Sequence, residues 1–410
     1  MSGDPRPRSY ENSRWWAAGL WMVLLAGIVV AWSPRYWPAS VAITGISILT
    51  ICWIAFSLLV RLRDFESLSQ PWSVQTVLVA LIGAWGFLQM TFRTTLLPAL
   101  TFDRSIILAL SACAFVVGSH ILRGRAPREL FLELLLWSAT LLAFIAMVQF
   151  YSTPTRAFGI FPAEASVTGT FLSHNRFAAL MELAAPIALW HMLERNAVTG
   201  GFCCAMILAA TITSASRAGV ILLGVELVAF LGFVLLTRRR KAKVIALFFA
   251  GLVALVIVAS TVAGTDRIRA RFEKDRDPFT IRRQLFYSTL KLIEQRPWTG
   301  YGMGTWRTVY PQTATFDLNL IANDAHNDWA QWTSDGGIPF LLLMAALVIL
   351  IAKPAIQSIW GLGLLSIMVH SCVDFPLREP VLSFLWFALA GAVSRFGSVN
   401  SDCRKSQTSG

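Results

Sequence analysis

Charge is scarce in this chain. Of 410 residues only 14% are Asp, Glu, Lys or Arg, against 56% that are hydrophobic. A soluble domain needs roughly a quarter of its residues charged, so this composition excludes an ordinary water-soluble globule. Cysteine is scarce too. The six, Cys52, Cys113, Cys203, Cys204, Cys372 and Cys403, fall in apolar runs, at their ends or in the C-terminal tail. Neither a disulfide framework nor a zinc site of CxxC spacing is expected from them. The weak alternation over segments of about ten residues that marks a membrane β-barrel is missing as well. What runs through the chain instead is continuous hydrophobicity, as in 41–60 and 242–264. A bilayer admits such segments only as helices, which satisfy their own backbone hydrogen bonds. The expected fold class is an all-α integral membrane protein.

About 12 transmembrane helices fit the length at roughly 20 residues each. They are expected near 15–32, 39–60, 72–91, 105–122, 130–151, 175–193, 199–214, 218–237, 243–264, 337–352, 355–372 and 380–396. The first follows Arg6, Arg8 and Arg14 and is soon followed by others, so it reads as a retained anchor and not a cleaved signal. Cations in short loops set the orientation: Arg61 and Arg63, then Arg123, Arg125 and Arg128, then Arg238 to Lys243, with Arg395, Arg404 and Lys405 in the tail. If these face the cytoplasm, both termini do, and one long loop lies outside. The resulting organisation is an N-terminal set of helices over 1–160, a second transmembrane unit over 161–396 holding a large outer loop at 265–336, and a cytoplasmic tail at 397–410.

That loop is the main polar break, about 70 residues between Asp266 and Asp335 set among membrane-length runs. The net charge of +12 is largely accounted for by inward anchors and anionic headgroups, so membrane lipids are expected partners and nucleic acid is not. The cations of the loop itself, among them Arg267, Arg269, Arg271, Arg282, Arg283, Arg296 and Arg307, exceed what anchoring explains, and some of them suit an anionic ligand. Apolar residues at Ile281, Leu285, Leu292 and Ile293 predict an amphipathic surface helix ended by Pro297. Gly300, Gly302 and Gly304 follow. They are open to two readings, a plain helix-to-loop turn or a cradle of amides for phosphate.

The loop closes on His326-Asn327-Asp328, where a histidine could serve as a general base or merely end a helix. A helix there would put Asn327 and Gln331 on one face. His174 and His370 map to the same outer side as His326, whereas His120 and His191 map to the cytoplasmic ends of spans. Glu182 and Glu226 lie within spans, where an ionisable group is costly, so each should have an interior cation or a protonated structural role. Asp275-Arg276-Asp277 and the alternation Asp324, His326, Asp328 could hold a divalent ion, though both patterns are common by chance.

Taken together these segments resemble the O-antigen ligase and polymerase family. The likeness is carried by Arg282-x-x-x-Phe286, by Arg296-Pro-Trp-Thr-Gly-Tyr-Gly-Met-Gly-Thr-Trp306, and by His326-Asn327 with Gln331, Asp335 and Gly337. Gly169 to Ala178, Ser214 to Gly219 and His370 to Leu377 agree in order, so it covers about residues 165–395. Asp335 stands where the family commonly has Glu, Phe340 where it has a small residue, and Arg283 beside Arg282 leaves the register of the key arginine open by one.

The resemblance implies a glycosyltransferase of the C-type fold group in the bacterial inner membrane, without cofactor or metal. It would move a glycan from an undecaprenyl-pyrophosphate carrier to an acceptor on the periplasmic face, inverting the anomeric centre. A departing pyrophosphate needs charge stabilisation more than an acid, a role suited to Arg217 and Arg282, with Arg283 as substitute. His326 would take or orient the proton of the acceptor hydroxyl. His174, Asn175, Arg176, Asn327, Gln331, His370 and Asp374 are the expected supporting or acceptor contacts.

The acceptor is either lipid A core, as for a ligase, or a second carrier-linked glycan, as for a polymerase of O-antigen or exopolysaccharide. The ligase reading is preferred. A protein glycosyltransferase is a third reading, disfavoured because the chain stops soon after its last span. A solute transporter is the alternative from another class, but its repeated halves are not found in the sequence.

Overall fold

The computed structural model describes residues 9–31, 41–50, 52–53, 73–153, 155–158, 160–162, 168–237, 278–314 and 322–395. The expected span at 243–264, most of that at 39–60, the cations Arg267, Arg269 and Arg271, the Asp275-Arg276-Asp277 pattern, Cys403 and both chain ends lie outside them.

The chain begins with α1 (Ser9–Val29) and the shorter α2 (Val41–Thr50). There follow α3 (Val74–Thr91), α4 (Pro98–Ile121) and α5 (Arg125–Tyr151). A two-residue hairpin of β1 (Arg156–Ala157) and β2 (Phe161–Pro162) leads to α6 (His174–Glu194), α7 (Ala197–Ser214) and α8 (Arg217–Thr237). Beyond these come α9 (Pro278–Gln295), α10 (Asp328–Ser358), α11 (Leu362–His370) and α12 (Pro380–Ser394). Among the described residues, seven of these, α3 to α8 and α10, are long and apolar enough to cross a membrane. The protein is a multi-pass, helical membrane protein.

Burial sorts the helices. In α6 94% of the membrane-length window is buried, against 28% in α3, α8 and α10. A helix apolar on all sides and covered on all sides is the centre of a bundle, and α6 is that centre. The outer helices leave Leu88, Leu141, Phe144, Phe202, Ile221, Val228, Leu342 and Ile349 exposed. So continuous an apolar exterior is tolerable only against lipid. Close crossings use small residues. A Cβ on Gly118 of α4 would strike the carbonyl of Ala388 on α12, and one on Gly391 the carbonyl of Phe115, the packing expected where lipid supplies no hydrophobic drive between helices.

The region after the polar loop departs from the expected pair of spans at 337–352 and 355–372. Helix α10 already starts at Asp328, breaks at Gly337 (φ 78°, ψ 172°), and continues to Ser358. Ile359 then takes a positive φ of 62°, and α11 is only 9 residues long. That is about 14 Å of rise, short of the roughly 30 Å hydrocarbon thickness. Residues 355–372 therefore do not form one continuous span. The backbone turn at 359–361 ends α10, and the remaining segment packs its Gly363 on the backbone of Glu182 and Leu183 in α6.

Candidate active site

The polar loop builds a small core of its own. Leu285 and Leu292, one face of α9, are buried with Tyr301, Trp306, Val309, Tyr310 and Ala325. Trp306 stacks on Tyr310 at 4.6 Å between ring centroids, and its Nε1 donates to Thr289 Oγ1 at 3.0 Å. The amphipathic pattern is therefore real, but its apolar face covers this aromatic cluster.

The glycine turn is consumed by packing. The amides of Gly304 and Trp306 donate to the two oxygens of the Asp335 carboxylate at 3.0 and 2.9 Å. The amides of Tyr301 and Gly302 go to the Ser334 and Asp335 carbonyls, and that of Met303 to Gln89 Oε1. Gln89 Nε2 in turn donates to the carbonyls of Thr299 and Asp335. Of the two readings of the glycines, the plain turn describes them: these amides are not available to cradle phosphate. The turn clamps α9 to the break in α10.

Beyond the turn, Asn327 caps α10, its Oδ1 accepting from Ala330 N and its Nδ2 donating to the Cys372 carbonyl at 2.7 Å. Gln331 is buried, and its Oε1 accepts from Ala325 N. Asp328 draws in the far side of the site, its Oδ2 accepting from Ser371 Oγ and from Leu377 N. Arg378 pairs with Asp324 at 2.8 Å. Residues 322–328 are thus stitched along 371–378. Asp324 and Asp328 turn to these partners, away from any shared point with His326.

This stitching brings His326 onto Asp374. His326 has a left-handed backbone (φ 51°), an uncommon conformation that histidine adopts more readily than most residues. Its Nδ1 is 3.2 Å from Asp374 Oδ1, with the His326 side chain 34% exposed and Asp374 6%. Its ring stands edge-on to Phe375. An ionised carboxylate only accepts, so Nδ1 carries the proton and, in the neutral ring, Nε2 carries the lone pair.

Arg282, near the start of α9, donates from Nη1 to the Val373 carbonyl at 3.1 Å, whereas Arg283 is exposed. Burial alone would raise the Asp374 carboxyl, but the hydrogen bond from His326 and the charge of Arg282 outweigh it and hold the group below its ordinary value. The stability that Asp374 supplies should therefore be complete above about pH 4, the ordinary carboxylate value, and be lost as pH falls through its lowered one. Thermal unfolding across the acid range measures this. Asp374→Asn should remove that part of the pH dependence; an unchanged acid limb would show that the pairing contributes nothing.

The first turn of α6 supplies the opposite wall. Asn175 Oδ1 accepts from Ser216 Oγ at 2.9 Å, which fixes the α7–α8 joint and the exposed Arg217 beside it. A left-handed Ala215 (φ 58°) makes that joint. A Cβ on Gly219 would press on Ala178 of α6, so glycine there lets the start of α8 lie close. Arg176 pairs with Glu379 at 2.8 Å and lies over the Phe375 ring. Deeper in the bundle, His370 Nδ1 meets Glu182 Oε1 at 2.7 Å, both side chains fully buried. Glu182 thus has an interior partner in His370. Glu226 is buried nearby.

Ser173, Asn175, Arg176, His370, Asp374, Phe375 and Pro376 line one narrow cleft. His326 and Arg282 reach it through Asp374 and Val373. His174 is the exposed first residue of α6. The structure therefore gathers His326, Arg282, Asn175, Arg176, His370 and Asp374 at one place, while Asn327 and Gln331 hold the segment that carries His326. Sequence reasoning missed Glu379, Phe375 and Ser216. Phe375 and Ser216 carried a signal, by falling inside the family-like segments His370 to Leu377 and Ser214 to Gly219; Glu379 carried none.

A search of curated proteins finds no match. Residues 202–345 match the family model described as O-antigen ligase, a stretch that includes Arg217, α9, the glycine turn, His326 and the break at Gly337. Over this stretch the chain is similar to the O-antigen ligase and polymerase family, a likeness that implies a membrane glycan ligase or polymerase.

Proposed function

We propose that this protein transfers a glycan from an undecaprenyl-pyrophosphate carrier to lipid A core at the periplasmic face of the bacterial inner membrane. Both termini lie in the cytoplasm in this reading. The observation that carries it is the pairing of His326 with Asp374 at 3.2 Å beside Arg282. A carboxylate behind Nδ1 fixes the tautomer and leaves Nε2 as the base, the same logic by which an aspartate orients a catalytic histidine elsewhere.

Transfer then proceeds in one displacement. An acceptor hydroxyl gives its proton to His326 Nε2 while its oxygen attacks the anomeric carbon from the side opposite the carrier. The bond from that carbon to the phosphate oxygen breaks, its electron pair leaving with the carrier pyrophosphate. Arg282 and Arg217 stabilise the charge that develops there. The anomeric configuration inverts. Asp374 keeps the imidazolium in place until it returns its proton to water. Arginine supplies the positive charge throughout, so this reading needs no divalent ion.

The test is purified protein incubated with carrier-linked glycan and either lipid A core or a second carrier-linked glycan. Product on lipid A core is expected. Extension of the carrier-linked glycan alone would replace the ligase reading by the polymerase one. Uptake of solute into proteoliposomes without any glycan product would overturn both.

A further inference from the structure

Three of the basic side chains at the cleft have a carboxylate behind them. Arg176 is backed by Glu379, His326 by Asp374, and His370 by Glu182. The proposed chemistry uses His326. It leaves the deepest pair, Glu182 and His370, without a task, though fully buried ionisable side chains in a membrane bundle are costly to maintain.

The geometry of His370 is specific. Its Nδ1 is taken by Glu182, so Nε2 is the nitrogen left to face elsewhere. His370 forms part of the cleft wall. Among the described residues, Nε2 is buried with no hydrogen-bond partner, and so is Nε of Arg176 in the same wall. Buried nitrogens left so are rare, because each forfeits its hydration without return. Each is a donor suited to an oxygen that carries negative charge. Of the groups that act on His370, Arg282 on α9 attracts such an anion, as does Arg176 in the same cleft, whereas the carboxylates of Glu182 on α6 and Asp374 on the following turn oppose it. Glu226 of α8 faces Glu182 behind the pair. Arg176, paired with Glu379 and 30% exposed, forms the outer wall.

We infer that His370, held by Glu182, is a positioning residue for the donor: its Nε2–H binds a pyrophosphate oxygen of the lipid carrier at the floor of the cleft, alongside Arg176. This rests on the proposed function and goes beyond it, since it assigns the buried pair and splits donor grip from proton transfer. Glu182 orients the ring through Nδ1.

Two substitutions separate this role from a structural one. Asparagine can place its side-chain N–H where Nδ1 was, and glutamine where Nε2 was. His370→Asn keeps the bond to Glu182 and loses the group that faces the cleft; His370→Gln does the reverse. Binding of undecaprenyl pyrophosphate to the purified full-length protein, and KM and kcat for the carrier-linked glycan, are measured for wild type and both variants, with thermal unfolding recorded for each.

The expected result is a donor KM and dissociation constant about tenfold to a hundredfold higher for His370→Asn, with little change in kcat, and substantial recovery in His370→Gln. A purely structural pair predicts the opposite order, with His370→Asn near wild type and His370→Gln unstable, and that order would overturn the inference. Wild-type transfer with equal donor affinity in all three proteins would overturn it too while leaving the proposed function intact. A wild type that neither binds the carrier nor transfers glycan would remove the proposed function and this inference with it.

Discussion

His326→Ala is expected to lower kcat for glycan transfer by about a hundredfold to ten-thousandfold while donor affinity stays within a few-fold of wild type, since that is the range a positioned general base supplies. The split follows from position. His326 is partly exposed beside Asp374 at the α10 cap, whereas the donor contacts proposed above are Arg176, His370 and Arg282. Removing the imidazole deletes the proton acceptor and leaves those groups in place. Alanine is not the best probe of this position, because φ is 51° there and asparagine tolerates such a backbone better. His326→Asn therefore serves as the companion: it keeps the backbone and can still donate to Asp374, but has no basic nitrogen.

Both variants should bind undecaprenyl pyrophosphate and fail to transfer. Arg282→Ala should differ from both, losing donor affinity as well as turnover, while Arg283→Ala should do neither. Near-normal turnover in His326→Asn would remove the base assignment. Loss of donor binding in step with turnover would move His326 from proton transfer to donor grip.

Gly337→Val is expected to abolish the folded protein. At φ 78° and ψ 172° the backbone occupies a region open essentially to glycine alone, where another residue costs about 1–3 kcal/mol from conformation. Sterics add to that. A Cβ on Gly337 would run into the carbonyl of Trp298, and one on Gly300 (φ 63°) into the carbonyl of Asp335. The two glycines face each other across the contact where Ile338 N donates to the Pro297 carbonyl at 2.7 Å. The obstacles are backbone atoms and cannot rotate away. Separation of the break in α10 from the glycine turn would release the Asp335 carboxylate, the Gln89 contacts and the position of α9, and with α9 the placement of Arg282. The measurement is the amount and thermal midpoint of detergent-solubilised protein. A Gly337→Val protein that melts like wild type would show that the clamp does not hold the loop.

Parts of this protein were legible because they depend on local physics. Among the described residues, most apolar runs of membrane length became helices since a bilayer allows their backbones no other partner. The apolar spacing of 280–296 became α9, ended by Pro297. Elsewhere the local signal was ambiguous. Glycine density is the same whether amides await a phosphate or a carboxylate from the chain, and only the approach of Asp335 and Gln89 decides between them. Residues 355–372 are apolar enough for a span, yet the turn at 359–361 divides them, because hydropathy does not register where a helix must bend to pack on α6.

The sequence by itself determined the class of molecule, the segments in which polar groups gather, and the kinds of residue in the candidate site, since these follow from composition, run length and short motifs. Tertiary structure alone decided the partnerships. His370 meets Glu182 across 188 positions and Arg176 meets Glu379 across 203, distances at which no periodicity carries information. It also turned Arg282, and not its exposed neighbour Arg283, toward the Asp374 turn. A helix fixes side-chain directions only relative to its own axis, so which face meets the site is set by packing, here by Leu285 and Leu292 seated in the aromatic cluster.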